Sequence, residues 1–285
     1  MSTITTADPV TKSYFEWASG VFLPTPKAGG YWGASLISGP AVAGLAAWAL
    51  ERDYGQADFM PARFTIEFLK PAAQAPTRVQ TRIVRDGRRL RSVECDVLQG
   101  DWIVARATVM QYRRSQAPAG EEWMSQTSFT APPQPDCDEM KVGSDAVGWS
   151  VMGIEHQNVS RKRAFYRGPG VVAGASTSLF VRAVIVAEAA ANLVTNLGTE
   201  GVGYINGDLT VSISRLPRSE YIGVQADSHF AADGVAVGSA TMFDADGPFG
   251  TASVTALANP AARIDFAGSP RVDSPGSELL SGPAR

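Results

Sequence analysis

The chain carries one order of elements twice, an apolar helix followed by four alternating strands, and this duplication constrains its fold more than any single motif. In the first copy, Gly39 and Pro40 precede an apolar helix over 41–52, with the proline in the first turn, where it forfeits no hydrogen bond. Residues 62–69 then alternate Phe64, Ile66 and Phe68 with Arg63, Thr65 and Glu67, the period of two of a strand with one buried face. Segments 77–85, 89–98 and 102–112 continue as strands, with turns expected at Asp86-Gly87 and Gly100-Asp101. The second copy has a helix over 177–197, Thr177 or Ser178 as its N-cap and Gly198 as its stop. Strands 208–214, 221–230, 235–243 and 249–257 follow, with turns at Asp233-Gly234 and Asp246-Gly247. Laying Asp86-Gly87 on Asp233-Gly234, a shift of 147, brings Gly100 onto Gly247, Ala105 onto Ala252 and Thr108 onto Thr255.

A long apolar helix needs cover on most sides, and an antiparallel sheet curling around it supplies that cover. The pattern predicts an α+β double hotdog: two helices, each wrapped by a curved sheet, with the sheets joined edge to edge so that fewer edges stay bare. The expected units are an N-terminal hotdog over 1–113, a Pro-rich linker over 114–145, a C-terminal hotdog over 146–261 and a mobile tail over 262–285. With 285 residues, 45% of them hydrophobic, both cores can be filled without metals or disulfides. The 25 basic and 28 acidic residues are interspersed, which argues against a nucleic-acid partner. Cys95 and Cys137 are the only cysteines and are expected as free thiols in a reducing compartment. The N-terminus lacks the basic and apolar regions of a signal peptide, and no stretch approaches the ~18 apolar residues of a membrane span. A soluble cytoplasmic protein is the expectation.

The segments Gly30-Tyr31-Trp32 and 37–51, with the helix opening at Ser38-Gly39-Pro40, resemble the tryptophan and helix start of the thioesterase-like double-hotdog family, which includes acyl-CoA thioesterase II. Segments 61–71 and 84–90 are similar to its first strand and hairpin, and 208–215 with 243–250 continue the likeness. It covers roughly residues 28–113 and 175–257. The resemblance implies hydrolysis of acyl-CoA thioesters, which needs a carboxylate to activate water, polar groups to hold that water and donors for the carbonyl oxygen. It carries the catalytic Asp to Asp208 and the hydroxyl to Ser228. The family's Gln falls at Val254 or Thr255, neither an amide; Thr255 can still hold a water through its hydroxyl. Backbone amides near Gly39, with Ser38 and Trp32 beside the substrate, are the expected binding elements. The absent Gln leaves a second reading open, a double hotdog that binds acyl-CoA or another apolar ligand without cleaving it.

Other candidates are weaker. Asp208 taken alone reads more readily as a capping or edge-strand carboxylate than as a catalytic one. His156 and His229, the only histidines, make no metal-ligand spacing with Cys95 or Cys137, so neither a metal nor a cofactor is expected. The basic run Arg161-Lys162-Arg163 with Arg167 reads as a solvated strand face, or as a holder of CoA phosphates if it lies at a pocket mouth. There is no P-loop, dinucleotide fingerprint or nucleophile elbow. Helices and edges left exposed by the duplication allow a homo-oligomer.

Overall fold

The computed structural model describes residues 8–133 and 139–266, and Cys137 and most of the expected tail lie outside them. An N-terminal hairpin, β1 (Ser13–Ala18) and β2 (Val21–Pro24), leads to helix α1 (Gly39–Tyr54) and the strands β3 (Phe59–Phe68), β4 (Arg78–Asp86), β5 (Leu90–Gln99) and β6 (Trp102–Arg113). After the connecting segment come β7 (Lys141–Ser144) and β8 (Lys162–Tyr166), then helix α2 (Leu179–Asn196). The last strands are β9 (Tyr204–Asn206), β10 (Asp208–Ile213), β11 (Ile222–Ala232), β12 (Val235–Asp244) and β13 (Gly247–Ala258). One 12-stranded sheet contains both halves, in the order β7, β8, β11, β12, β13, β10, β3, β6, β5, β4, with Ser150–Val151 beyond β7 and β9 alongside β13. The double hotdog expected from the sequence is the fold observed.

The halves join where β10 pairs antiparallel with β3, Thr210 opposite Thr65. Pairing within each half reveals the true register of the duplication. Thr65 faces Thr108 across β3 and β6, and Thr210 faces Ser253 across β10 and β13, so the halves superpose with a shift of 145. The bulge after Val97 then coincides with the bulge after Met242. The shift of 147 is therefore corrected by two residues. Asp86-Gly87 is not the turn: the amide of Gly87 still bonds the Leu90 carbonyl at 3.0 Å, so the chain reverses at Arg88-Arg89, the counterpart of Asp233-Gly234. Likewise Asp244 pairs Gly247, so the last hairpin turns at Ala245-Asp246.

Both helices lie on one face of the sheet and cross in opposite directions, for Gly39 meets Glu188, Gly44 meets Ile185 and Glu51 meets Ser178. The crossing is close because α1 is built from small residues. Ala41, Ala43, Ala46, Ala47 and Ala49 are buried, and a Cβ on Gly44 would stand 2.9 Å from Cγ1 of Ile185. Beneath the helices, Phe64, Ile66, Val93, Ala107, Leu209, Val211, Val224 and Ala252 form a continuous core across the joint. Cys95 is buried in it as a free thiol, and burial pushes its pKa up to about 12.

Several boundaries differ from expectation. β7 lies inside the segment expected as linker, and Phe129 from the same segment stacks on Phe165 and Phe243. Ile264, expected in the tail, pairs with Val202. Ser178 is the N-cap of α2, its hydroxyl accepting from the Val181 amide, and Leu197 takes the C-cap position before Gly198. α2 also reaches the length and apolarity of a membrane span, at 18 residues and a mean hydropathy of 1.4, yet 83% of it is buried inside the fold. Its composition reflects cover on all sides.

The close crossing generates a prediction. Gly44→Leu should destabilise the protein by about 1–3 kcal/mol through overpacking against Ile185, read as a lower urea midpoint at unchanged slope.

Candidate active site

The expected site residues fall in two places. Gly39 and Ser38 stand at the start of α1, where the Ser38 amide bonds the Ala28 carbonyl at 2.7 Å and the Ser38 carbonyl accepts from Ala41 and Val42. Strand residues Gly29 and Gly30 cross directly above, close enough that a Cβ on Gly30 would meet Cα of Ser38 at 3.2 Å. Trp32 follows, half-buried. The N–H of Gly39 is among the first-turn amides that have no intrahelical acceptor, and Pro40 supplies none.

Packed against Gly39 is a carboxylate that the sequence reading missed. Glu188 projects from the middle of α2 so near to Gly39 that a Cβ there would run into its carboxylate, which would have to move aside. It is 7% exposed, and desolvation raises its pKa from 4.5 to about 7, with a hydrogen bond from Asn206 opposing. Asn206 Nδ2 donates to Oε1 of Glu188 at 3.2 Å. Its strand is held in place by a row of amides on α2: Asn196 donates to Asn192 at 2.7 Å, and Asn192 donates to the Tyr204 carbonyl at 3.0 Å. Tyr14 adds a buried phenol whose pKa is raised well above 10.0 by desolvation, then by the charges of Tyr166 and Glu188. The signal for Glu188 was present in the sequence: a lone carboxylate within Val-Ile-Val-Ala-Glu-Ala-Ala-Ala.

Asp208 and Thr255 are brought together, but on the other face of the sheet. Leu209, Val211 and Ile213 point into the core, so Asp208, Thr210 and Ser212 point away from the helices. The change of face comes at Gly207. Between the pairs Asn206–Ala256 and Thr210–Ser253 this strand advances four residues while β13 advances three, and the extra residue is a bulge. Asn206 thereby faces inward to Glu188 and Asp208 outward. The Thr255 amide donates to Oδ1 of Asp208 at 3.1 Å, and its hydroxyl contacts Oδ2. Asp208 thus satisfies a backbone donor beside the bulge, a capping role. The two residues share a shallow groove of about 350 Å³ with Thr65, Glu67 and Ser253.

Ser228 does not join them. Its hydroxyl bonds that of Ser239 at 2.7 Å, in a row of outward hydroxyls that continues across the sheet through Ser253, Thr210, Thr65 and Thr108. It stands three strands from Asp208, about 14 Å at the usual strand spacing, too far to hold the same water. The expected trio of Asp208, Ser228 and Thr255 is corrected to a pair on this geometry. Val254, the other position considered for the Gln, is buried on the inner face.

The remaining candidates have structural partners. Arg161 and Arg163 pair with Asp145, Arg167 pairs with Glu220, and Lys162 donates to the carbonyls of Asn158 and Ser160, so the basic run is engaged within the fold. His156 is buried with its ring on the Ser150 hydroxyl at 2.7 Å, and His229 packs on Tyr204. Among the described residues no group of three or more His, Cys, Asp or Glu could hold a metal.

The sequence profile of the acyl-CoA thioesterase N-terminal domain matches residues 29–112, and that of the C-terminal domain matches 122–257. No curated protein matches the chain. Among solved structures, the tesB protein of Mycobacterium avium subsp. paratuberculosis is similar at a TM-score of 0.63 and 17% identity, covering 88% of this chain and 98% of its own. A putative thioesterase II from Thermobifida fusca YX gives 0.61 and 13%, covering 90% and 100%. The acyl-CoA thioesterase II TesB2 of Mycobacterium marinum gives 0.60 and 15%, covering 90% and 96%. At these identities the structures attest the fold; the two profiles, matching successive halves over most of the length, show that the chain belongs to the acyl-CoA thioesterase family.

Proposed function

We propose that the protein hydrolyses acyl-CoA thioesters with Glu188 as general base. The observation that carries this reading is the buried Glu188 carboxylate set against the free amide end of α1 at Gly39, with Asn206 fixing its orientation. A thioester carbonyl placed over Gly39 would meet a backbone N–H and the positive end of the helix dipole as its oxygen gains negative charge. Glu188 takes a proton from water as the water oxygen attacks the carbonyl carbon. Collapse of the tetrahedral intermediate breaks the carbon–sulfur bond, and the departing thiolate recovers the proton from Glu188, leaving free acid and CoA. A base with a pKa of about 7 suits both transfers at neutral pH. Asn206 supplies an amide beside the carboxylate, which supports this reading although no Gln stands at 254 or 255. Family membership supports thioester hydrolysis in general. The cysteine usage favours the cytoplasm as its setting.

The contact between Asp208 and Thr255 favours a second reading, in which Asp208 activates the water from the outer groove. An assay of CoA release separates the two. Glu188→Gln should lower kcat at least about 100-fold with the thermal midpoint at or above the parent's, while Asp208→Asn keeps near-parental turnover. The opposite pattern transfers the role to Asp208. No CoA release from the parent, with acyl-CoA still raising its thermal midpoint, identifies a binder.

Two pH dependences follow. Glu188 must be ionised to act, so kcat/KM should rise with pH to a plateau above about 7. Its effect on stability has the opposite sign. Because the folded pKa lies above the ordinary 4.5, the unfolded chain releases this proton first, and stability falls as pH rises from 4.5 through about 7. The full effect is roughly 3 kcal/mol. Relative to the parent, Glu188→Gln should therefore gain stability between pH 4.5 and pH 8 in urea unfolding; parallel pH slopes would refute the burial argument.

A further inference from the structure

The opposed crossing of α1 and α2 has two ends, and Glu188 occupies only one. At the other, the last turns of α1 meet the first turn of α2. Glu51 lies there within hydrogen-bond reach of the Ser178 hydroxyl, its pKa raised by desolvation against that bond. A cavity of about 370 Å³ opens beside it, walled by Leu50, Phe59, Val109, Phe180 and Leu216. Its size falls in the range of small-molecule sites, about 300–1,000 Å³.

The two ends are not chemically equal. The N-cap serines correspond, Ser38 to Ser178, but the next residue is Gly39 in α1 and Leu179 in α2. Leu179 carries a side chain where α1 has none, so the backbone at this helix opening is less bare than at Gly39. The rim is also distinctive. Arg114 lines the cavity, and the adjoining Arg113 reaches the Arg88 carbonyl at 2.6 Å while its amide bonds the Arg89 carbonyl. Four exposed arginines therefore gather at this end of the sheet, with Asp58 paired to Arg113 among them.

We propose that this cavity is a second ligand site, which takes the apolar chain of an amphiphile with an anionic head and holds it without cleaving it. The apolar walls receive the chain, and Arg114 with its neighbours receives the head, either the carboxylate of a fatty acid or the phosphates of an acyl-CoA. Glu51, Gln56 and Gln111 form the polar part of the wall. The site is independent of hydrolysis at Glu188.

Calorimetric titration of the full chain with S-dodecyl-CoA, a thioether that cannot be hydrolysed, and with dodecanoate tests the assignment. Leu216→Trp, which fills the cavity, should remove one bound equivalent of at least one probe, and Arg114→Glu should weaken that equivalent about tenfold or more. CoA release from an acyl-CoA should be unchanged in both variants. Loss with dodecanoate identifies a carboxylate head, and loss with S-dodecyl-CoA alone identifies phosphates. Unaltered stoichiometry and affinity for both probes in both variants overturns the proposal. Arg114→Glu, a change at an exposed position, keeps the test valid if Leu216→Trp does not fold. Turnover in Glu188→Gln is a separate measurement, so either reading can fail alone.

Discussion

The close, opposed packing of α1 on α2 is the constraint on which the rest of the molecule depends. Helices with large side chains at the crossing would stand further apart, and Glu188 would not reach the backbone at Gly39. The run of alanines through α1 permits the approach but gives that helix little apolar area of its own. Stabilisation must come from the sheet beneath and from α2, whose Val181, Val184 and Ile185 are fully buried. One geometric requirement thus explains both the composition of the two helices and the position of the buried carboxylate.

The continuous sheet serves the same requirement. Pairing β10 with β3 fixes the two halves through backbone hydrogen bonds, so the helices above cannot rotate freely against each other. Matching hydroxyls face one another along the outer side of this joint, Thr210 against Thr65 and Ser253 against Thr210. Such a rung is compatible with water on one face and the core on the other, as an antiparallel sheet allows. One rung away, Asp208 stands opposite Glu67, a pairing of like charges in which the hydrogen bonds from Thr255 offset part of the repulsion.

Most of the architecture was legible in the sequence because it depends on periodicity. The two helices and eight of the strands follow from patterns of 3.6 and 2, and the duplication follows from their order. The register was not legible, because an Asp-Gly pair signals a turn by composition. In the first half that pair sits two residues early, and Arg88-Arg89 turns the chain instead. The site was obscured for a related reason. Asp208 opens a strand that resembles the family's, but the bulge at Gly207 decides which face it occupies, and a single inserted residue leaves no periodic trace. Glu188 was hidden in plain composition: it interrupts an apolar helix, and its meaning emerges only when the start of the other helix is placed beside it.

The difference between Gly39 and Leu179 also bears on how such a chain can change. In an assembly of two identical subunits, every substitution appears at both ends of the helix pair, so a gain at one end is tied to whatever it does at the other. Joining the halves in a single chain cuts that tie. A residue that opens the backbone at the head of α1 can coexist with one that closes it at the head of α2, and each end can be shaped for its own occupant while both share one core.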